Sequence, residues 1–152
     1  MIQFILLVSR QGKLRLARFY ADYSLKERQR RIREVTAMVM ARKPRACNFV
    51  EFKDSKICYK RYASLFFIAG VDETENELMV LETLHRYVEA LDRYFENVCE
   101  LDLIFGFHKA QYVLDEFVLK GELQEPSGKA ILQALLQADQ IEAEEAEERR
   151  LF

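Results

Sequence analysis

The sequence predicts an α+β fold, a five-stranded antiparallel sheet covered by helices, and three observations carry that expectation. Residues 2–8 are nearly continuous apolar, the mark of a central strand covered on both faces. Residues 48–71 hold three strand-like runs separated by turn formers, the pattern of an antiparallel meander. Two other stretches place apolar residues at spacings of three and four, as helices lying on a sheet do. The element order is β-β-α-β-β-β-α-α with one further helix, an arrangement of helices layered on a sheet.

The elements follow in order. Gln11 and Gly12 supply a turn after the first strand, and residues 14–20 then alternate, so the chain opens as a β-hairpin. Ser24 and Glu27 have the spacing of a capping box; Ile32, Val35, Met38 and Val39 form the stripe of a helix that runs to about Ala41 and stops before Pro44. Strands are expected over 48–53, 56–61 and 63–71. In the last, Ala63, Leu65, Phe67, Ala69 and Val71 share one face while Phe66 and Ile68 take the other. Asp72 to Asn76 combines turn formers with acids suited to a helix N-terminus. The long helix after it carries Leu78, Leu81, Leu84, His85, Val88, Leu91 and Phe95 on one stripe. Residues 100–105 read as a short extended or irregular passage. Ala110, Val113, Leu114 and Phe117 then mark a helix closed by Gly121, and Ser127 is placed to cap a last helix carrying Ile131, Leu132, Leu135 and Leu136.

The 152 residues suit one domain over 1–142 followed by an acidic tail over 143–152. The apolar opening has neither a basic leader nor a small-residue cleavage pattern, and no apolar run approaches the roughly 20 residues of a membrane span. Three cysteines, odd in number and widely spaced, outline neither a disulfide framework nor a metal site, and a reducing cytosolic setting is expected. The formal net charge of −2 hides a segregation, because Lys26, Arg28, Arg30, Arg31, Arg33, Arg42, Lys43 and Arg45 crowd one segment. That segment lacks the interleaved aromatics or motif of a nucleic-acid site; it reads as a solvated face or as a contact for anionic lipid or an acidic protein surface.

Nothing in the residues asks for catalysis. There is no Gly-rich phosphate loop, nucleophile elbow or His-Glu-x-x-His. Cys58 falls in a strand and His85 on a helix stripe, so structural roles are expected rather than a nucleophile pair. Asp115 and Glu116 are adjacent on a helix, about 100° apart, and cannot face one another as a dyad. No cofactor is expected.

The segment YKRYASLFF, residues 59–67, resembles the small-chain (sigma) family of clathrin-type adaptor complexes. FILLVSRQGKLRL at the start, NELMVLETLHRYVEALDRYF and NVCELDLIF resemble the same family in the same order, over about residues 1–125. Phe19 and Phe52 stand where the family often has Trp, Phe66 where Tyr is common and Gly106 where Asn is usual. LLVSRQGKLRL and GELQE look most like the trans-Golgi and endosomal clathrin adaptor class, while GVDETENEL has some likeness to a non-clathrin class.

The resemblance implies a longin-like fold and a non-enzymatic subunit of a heterotetramer with adaptor large chains and a medium chain. It implies a cytoplasmic protein, peripheral on trans-Golgi, endosome and coated-vesicle membranes. It also implies a site for acidic dileucine signals in the cytosolic tails of membrane cargo, carried onto Ala63, Leu65, Val88, Asn97, Val98, Leu101 and Leu103. Arg15 would meet the upstream acid. Two buried leucines contribute about 3 to 6 kcal/mol gross and an exposed ion pair about 1, before the peptide's ordering cost. Weak binding, on the order of micromolar, would suit cargo that must be released. The alternative is a free-standing longin-type regulatory domain binding a small GTPase or a fusion protein.

Overall fold

A computed structural model of the chain describes residues 1–119, 121–124 and 128–151. Its elements are β1 Ile2–Ser9, β2 Leu14–Phe19, α1 Leu25–Ala41, β3 Phe49–Phe52, β4 Ser55–Tyr62, β5 Leu65–Val71, α2 Glu77–Phe95, α3 Glu100–Phe105, α4 Phe107–Phe117, β6 Val118–Leu119, β7 Glu122–Leu123 and α5 Gly128–Leu151. The main sheet is antiparallel in the order β2-β1-β5-β4-β3, as the α+β expectation required.

The continuous apolar run makes β1 a central strand, flanked by β2 and β5 and buried on both faces. On one face, Phe4, Leu6, Val8, Ile57 and Ile68 pack beneath α1, whose Val35 and Val39 point inward. On the other, Ile5, Leu7, Leu65, Phe67, Ala69 and Val71 meet Val80, Leu84, Tyr87, Val88 and Leu91 of α2 and the inner side of α4. The alternation read in 65–71 is what sends Leu65, Phe67, Ala69 and Val71 to the α2 side and Ile68 to the α1 side.

Local chemistry explains the helix starts. Ser24 and Glu27 close a reciprocal capping box, Glu27 N–H to Ser24 Oγ at 3.2 Å and Ser24 N–H to Glu27 Oε2 at 3.2 Å. Asn76 caps α2 by accepting from Leu78 N–H at 2.9 Å.

Several expectations are corrected. Residues 100–105 form a helix, not an extended passage, because Cys99 N–H donates to Asp102 Oδ2 at 2.9 Å and starts a turn. Ala63 precedes β5: it lies exposed in the β4–β5 turn with φ 52°. On α2, His85 is solvent-exposed and pairs with Glu89 at 2.9 Å, and Leu78 is exposed as well; Val80 and Tyr87 take the inward positions. α4 ends at Phe117, and Gly121 sits in the turn of a small β6–β7 hairpin. α5 turns Ala134 and Ala138 inward with Ile131 and Leu135 half-buried, and Leu136 faces solvent. The proposed Ser127 cap and the Leu132 side chain lie outside the described residues. α5 continues through the acidic segment to Leu151.

Candidate functional site

Most of the residues singled out above lie on the end of α2, its link to α3, and the strand ends beside the β1–β2 and β4–β5 turns. Leu65, Val88, Val98 and Leu103 are all buried in one apolar cluster, Leu65 from the start of β5, Val88 from the fourth turn of α2, Val98 from the α2–α3 link and Leu103 from α3. Asn97 and Leu101 lie on the outside of the same link, Leu101 61% exposed. Ala63 lies in the β4–β5 turn, outside the cluster.

The link has a defined shape. Glu96 and Asn97 are both left-handed, with φ 53° and 74°, a conformation that costs about 1 to 2 kcal/mol per residue with a Cβ and is easier for Asn. Asp92 holds it: Oδ1 accepts from Tyr62 O–H at 2.7 Å and from Val98 N–H at 3.1 Å, and its carbonyl accepts from Asn97 N–H at 3.2 Å. Val98 is thereby turned into the cluster while Asn97 is turned out. At the far end of α3 a Cβ on Gly106 would lie 2.7 Å from Asp102 O and 2.8 Å from the Phe95 ring, so here the close approach of that ring admits only glycine.

Arg15 sits on a bulge. The β1–β2 pairing steps from Leu7↔Leu16 to Val8↔Leu14, which leaves Arg15 as the extra residue of β2 and re-aims its side chain. Its Nε donates to Glu100 Oε1 at 2.7 Å and its Nη2 to the same oxygen. The cation expected to meet a ligand acid therefore meets an acid of this chain, at the first residue of α3.

Sequence reasoning missed Asp92, Tyr62, Glu100 and Tyr87. Tyr87 is wholly buried, donates to Ala110 O at 2.8 Å and so ties α2 to α4; burial pushes its phenol well above the ordinary range. Glu100 and Asp102 carried a legible signal, acids in a first helical turn. Asp92 carried none, because its partners are a distant phenol and a backbone amide.

Burial pushes the Cys58 thiol up to about 12, so it is neutral and unreactive at ordinary pH. Among the described residues no cluster of three or more His, Cys, Asp or Glu could hold a metal ion, and no helix is long and apolar enough to cross a membrane. α3 presents Leu101, Ile104 and Phe105 to solvent, Phe105 83% exposed. Their spacing puts them side by side on one apolar face.

The family model for the clathrin adaptor complex small chain matches residues 1–142. AP-1 complex subunit sigma-1 of Schizosaccharomyces pombe is 57% identical over 138 residues, 91% of this chain and 85% of the relative. The Arabidopsis thaliana AP-1 complex subunit sigma-1 is 55% identical over 93% of this chain and 88% of its own, and the human AP-1 complex subunit sigma-1A is 51% identical over 100% and 96%. A chain in a homology model of the full-length AP-3 complex, in a stretched open conformation, superposes with a TM-score of 0.73 at 28% identity, covering 99% of both chains.

Proposed function

Because this chain belongs to the clathrin adaptor complex small-chain family, a family of trafficking subunits and not of enzymes, we propose that it binds acidic dileucine sorting signals of membrane cargo within an assembled heterotetramer. It is a small subunit of an adaptor complex in vesicle trafficking. The finer reading adds stabilising contacts with large and medium chains and a cytoplasmic, peripheral place on trans-Golgi and endosomal membranes, in line with the AP-1 names of its relatives. Residues 1–142 would act as the working domain, with the acidic segment 143–152 outside it.

The observation that carries the reading is the convergence of Leu65, Val88, Val98 and Leu103 under a link whose outer side shows Leu101 and Asn97, with Arg15 at its border. Two adjacent leucines of a ligand need two neighbouring apolar sockets, and an acid four positions upstream needs a cation at the rim. The lining is fully packed, so a peptide enters only when the α2–α3 link shifts and part of this cluster exchanges its own contacts for the leucines. The upstream acid must then displace Glu100 from Arg15 or share the guanidinium with it, and the displacement subtracts from the net attraction. Ile104 and Phe105, exposed on α3 beyond Leu101, support the second half of the proposal, since such apolar surface is what a large chain covers in an obligate assembly. That exposed face favours an adaptor subunit over a free-standing regulatory domain.

The test is peptide binding by the complex that co-purifies with this chain. Arg15→Ser should weaken acid-bearing dileucine peptides several-fold more than peptides lacking the acid, and Leu101→Ser should weaken both by about tenfold, roughly 1.4 kcal/mol. Equal losses on both peptides in the Arg15 variant, or an unchanged affinity with Leu101→Ser, would remove the site. Purification of the chain as a soluble monomer without large subunits would favour the regulatory-domain alternative.

A further inference from the structure

A second site lies on the α1 side of the sheet, away from the α2–α3 link. A cleft of about 440 Å³ opens where the β1–β2 turn, the end of α1, the loop after it and the far end of β4 meet. Arg10, Arg42, Lys43, Lys60 and Arg61 line it, and no Asp or Glu does. Among the described residues none of these five cations has a carboxylate within ion-pairing distance, whereas Arg15, Arg18, Arg31, Lys53 and Lys56 are each paired. The chain is acidic overall, with a net charge of −2, so an unneutralised group of five is not the drift of a basic composition.

The centre of the group is fixed before any ligand arrives. Tyr59 is buried, and its hydroxyl donates to Cys47 O at 3.1 Å and accepts from Arg42 Nε at 3.0 Å. Arg42 Nη2 donates to the same carbonyl at 3.0 Å. Two neutral acceptors thus orient the guanidinium without discharging it, and its outer edge stays available as a donor. Arg61 is held over the Phe66 ring at 5.8 Å, which likewise positions a cation without neutralising it. Backbone carbonyls at the end of α1 supply only about half a negative charge, too little to account for five cations.

We propose that this cleft binds a multiply phosphorylated anion, an inositol phosphate or the headgroup of a phosphoinositide. The chemistry is that of several phosphate oxygens facing a guanidinium fork and flanking ammonium groups at once, which a single carboxylate could not engage. A polyphosphate also fits the volume and the absence of any acid on the walls.

The experiment titrates the full chain, and the complex that co-purifies with it, with inositol hexakisphosphate, and in parallel measures sedimentation with phosphatidylcholine vesicles with and without a phosphoinositide. Arg10→Glu with Lys43→Glu, both exposed, should lower affinity at least tenfold; Arg10→Gln with Lys43→Gln should lower it less while keeping the fold. Arg30→Glu with Arg33→Glu, exposed on α1 and outside the cleft, should change it less than twofold. Binding to the soluble phosphate and to vesicles identifies the headgroup; soluble binding alone identifies a free inositol phosphate. No binding by the parent, equal losses in the cleft and control variants, or binding by the chain that vanishes in the complex, where the cations would serve a subunit contact, overturns the proposal.

Discussion

The two faces of the sheet are finished differently. On the α1 face the edge of the core is sealed by the chain's own aromatics and cations: Phe4 packs on Phe19 at 5.8 Å, Phe19 on Tyr23 at 5.8 Å, and Arg28 and Arg31 lie over Phe19 and Tyr23 at 5.2 and 5.5 Å. On the α2 face the larger cluster is covered by three helices joined through a left-handed link, and α3 leaves Leu101, Ile104 and Phe105 uncovered. Where long side chains lie over rings, as at Phe19 and Tyr23, their stems and charges supply both the apolar cover and the wet exterior. A face that ends in bare leucine, isoleucine and phenylalanine is complete only with another surface.

The comparison can be broken most severely at Val88. Placed on sequence alone, Val88→Asp looks like a charge in a binding socket; at 2% exposure it is also a charge in the core, and should cost more than about 4 kcal/mol and prevent folding or assembly. Recovery of the assembled complex in normal yield with this substitution would show that the α2 face is more open than its packing implies. Leu101 is the better probe of binding, because its side chain is exposed.

Gly70 tests the opposite face. A Cβ there would lie 2.2 Å from two atoms of the Phe4 ring, and the ring is wholly buried, so it cannot swing aside. Gly70→Ala should destabilise by about 1 to 3 kcal/mol, read as a lowered thermal unfolding midpoint, with the dileucine affinity of the surviving protein unchanged. A loss of peptide affinity at full stability would mean that the two faces are coupled through β5.

The smallest expected effect is at Glu100. Glu100→Gln removes the charge that occupies Arg15 and should tighten acid-bearing peptides by a few-fold, under about 1 kcal/mol, with little change for peptides lacking the acid. Weaker binding of both peptides would instead make the Arg15–Glu100 pair a support that holds α3 in place.

Local signals carried far along the chain. The capping box at Ser24 and Glu27, the continuous β1 run and the two-sided alternation of β5 are nearest-neighbour patterns, so they survive without knowledge of the fold. The site was legible in part. Leu65, Val88, Val98 and Leu103 all belong to the large buried cluster of the α2 face, but neither their burial nor the turn placement of Ala63 was legible, and the acids at Glu100 and Asp102 were the one local sign of a helical start there. Cys99 and Asp102 form that start through a bond from the Cys99 N–H to the Asp102 carboxylate, which competes with an extended reading of an apolar run.

By itself, the sequence determined the α+β layering, the two-sided central strands, the long amphipathic helices and the likeness to a family of adaptor small chains, because periodicity and motif order are properties of the chain. Only tertiary structure decided that Arg15, eighty-five residues from Glu100, would be bound to it. It likewise joined Asp92 to Tyr62, and drew Arg10, Arg42, Lys43, Lys60 and Arg61 to one cleft. Those pairings depend on which strands lie side by side and where a bulge falls, and the residues concerned carry no trace of them in their own neighbourhoods.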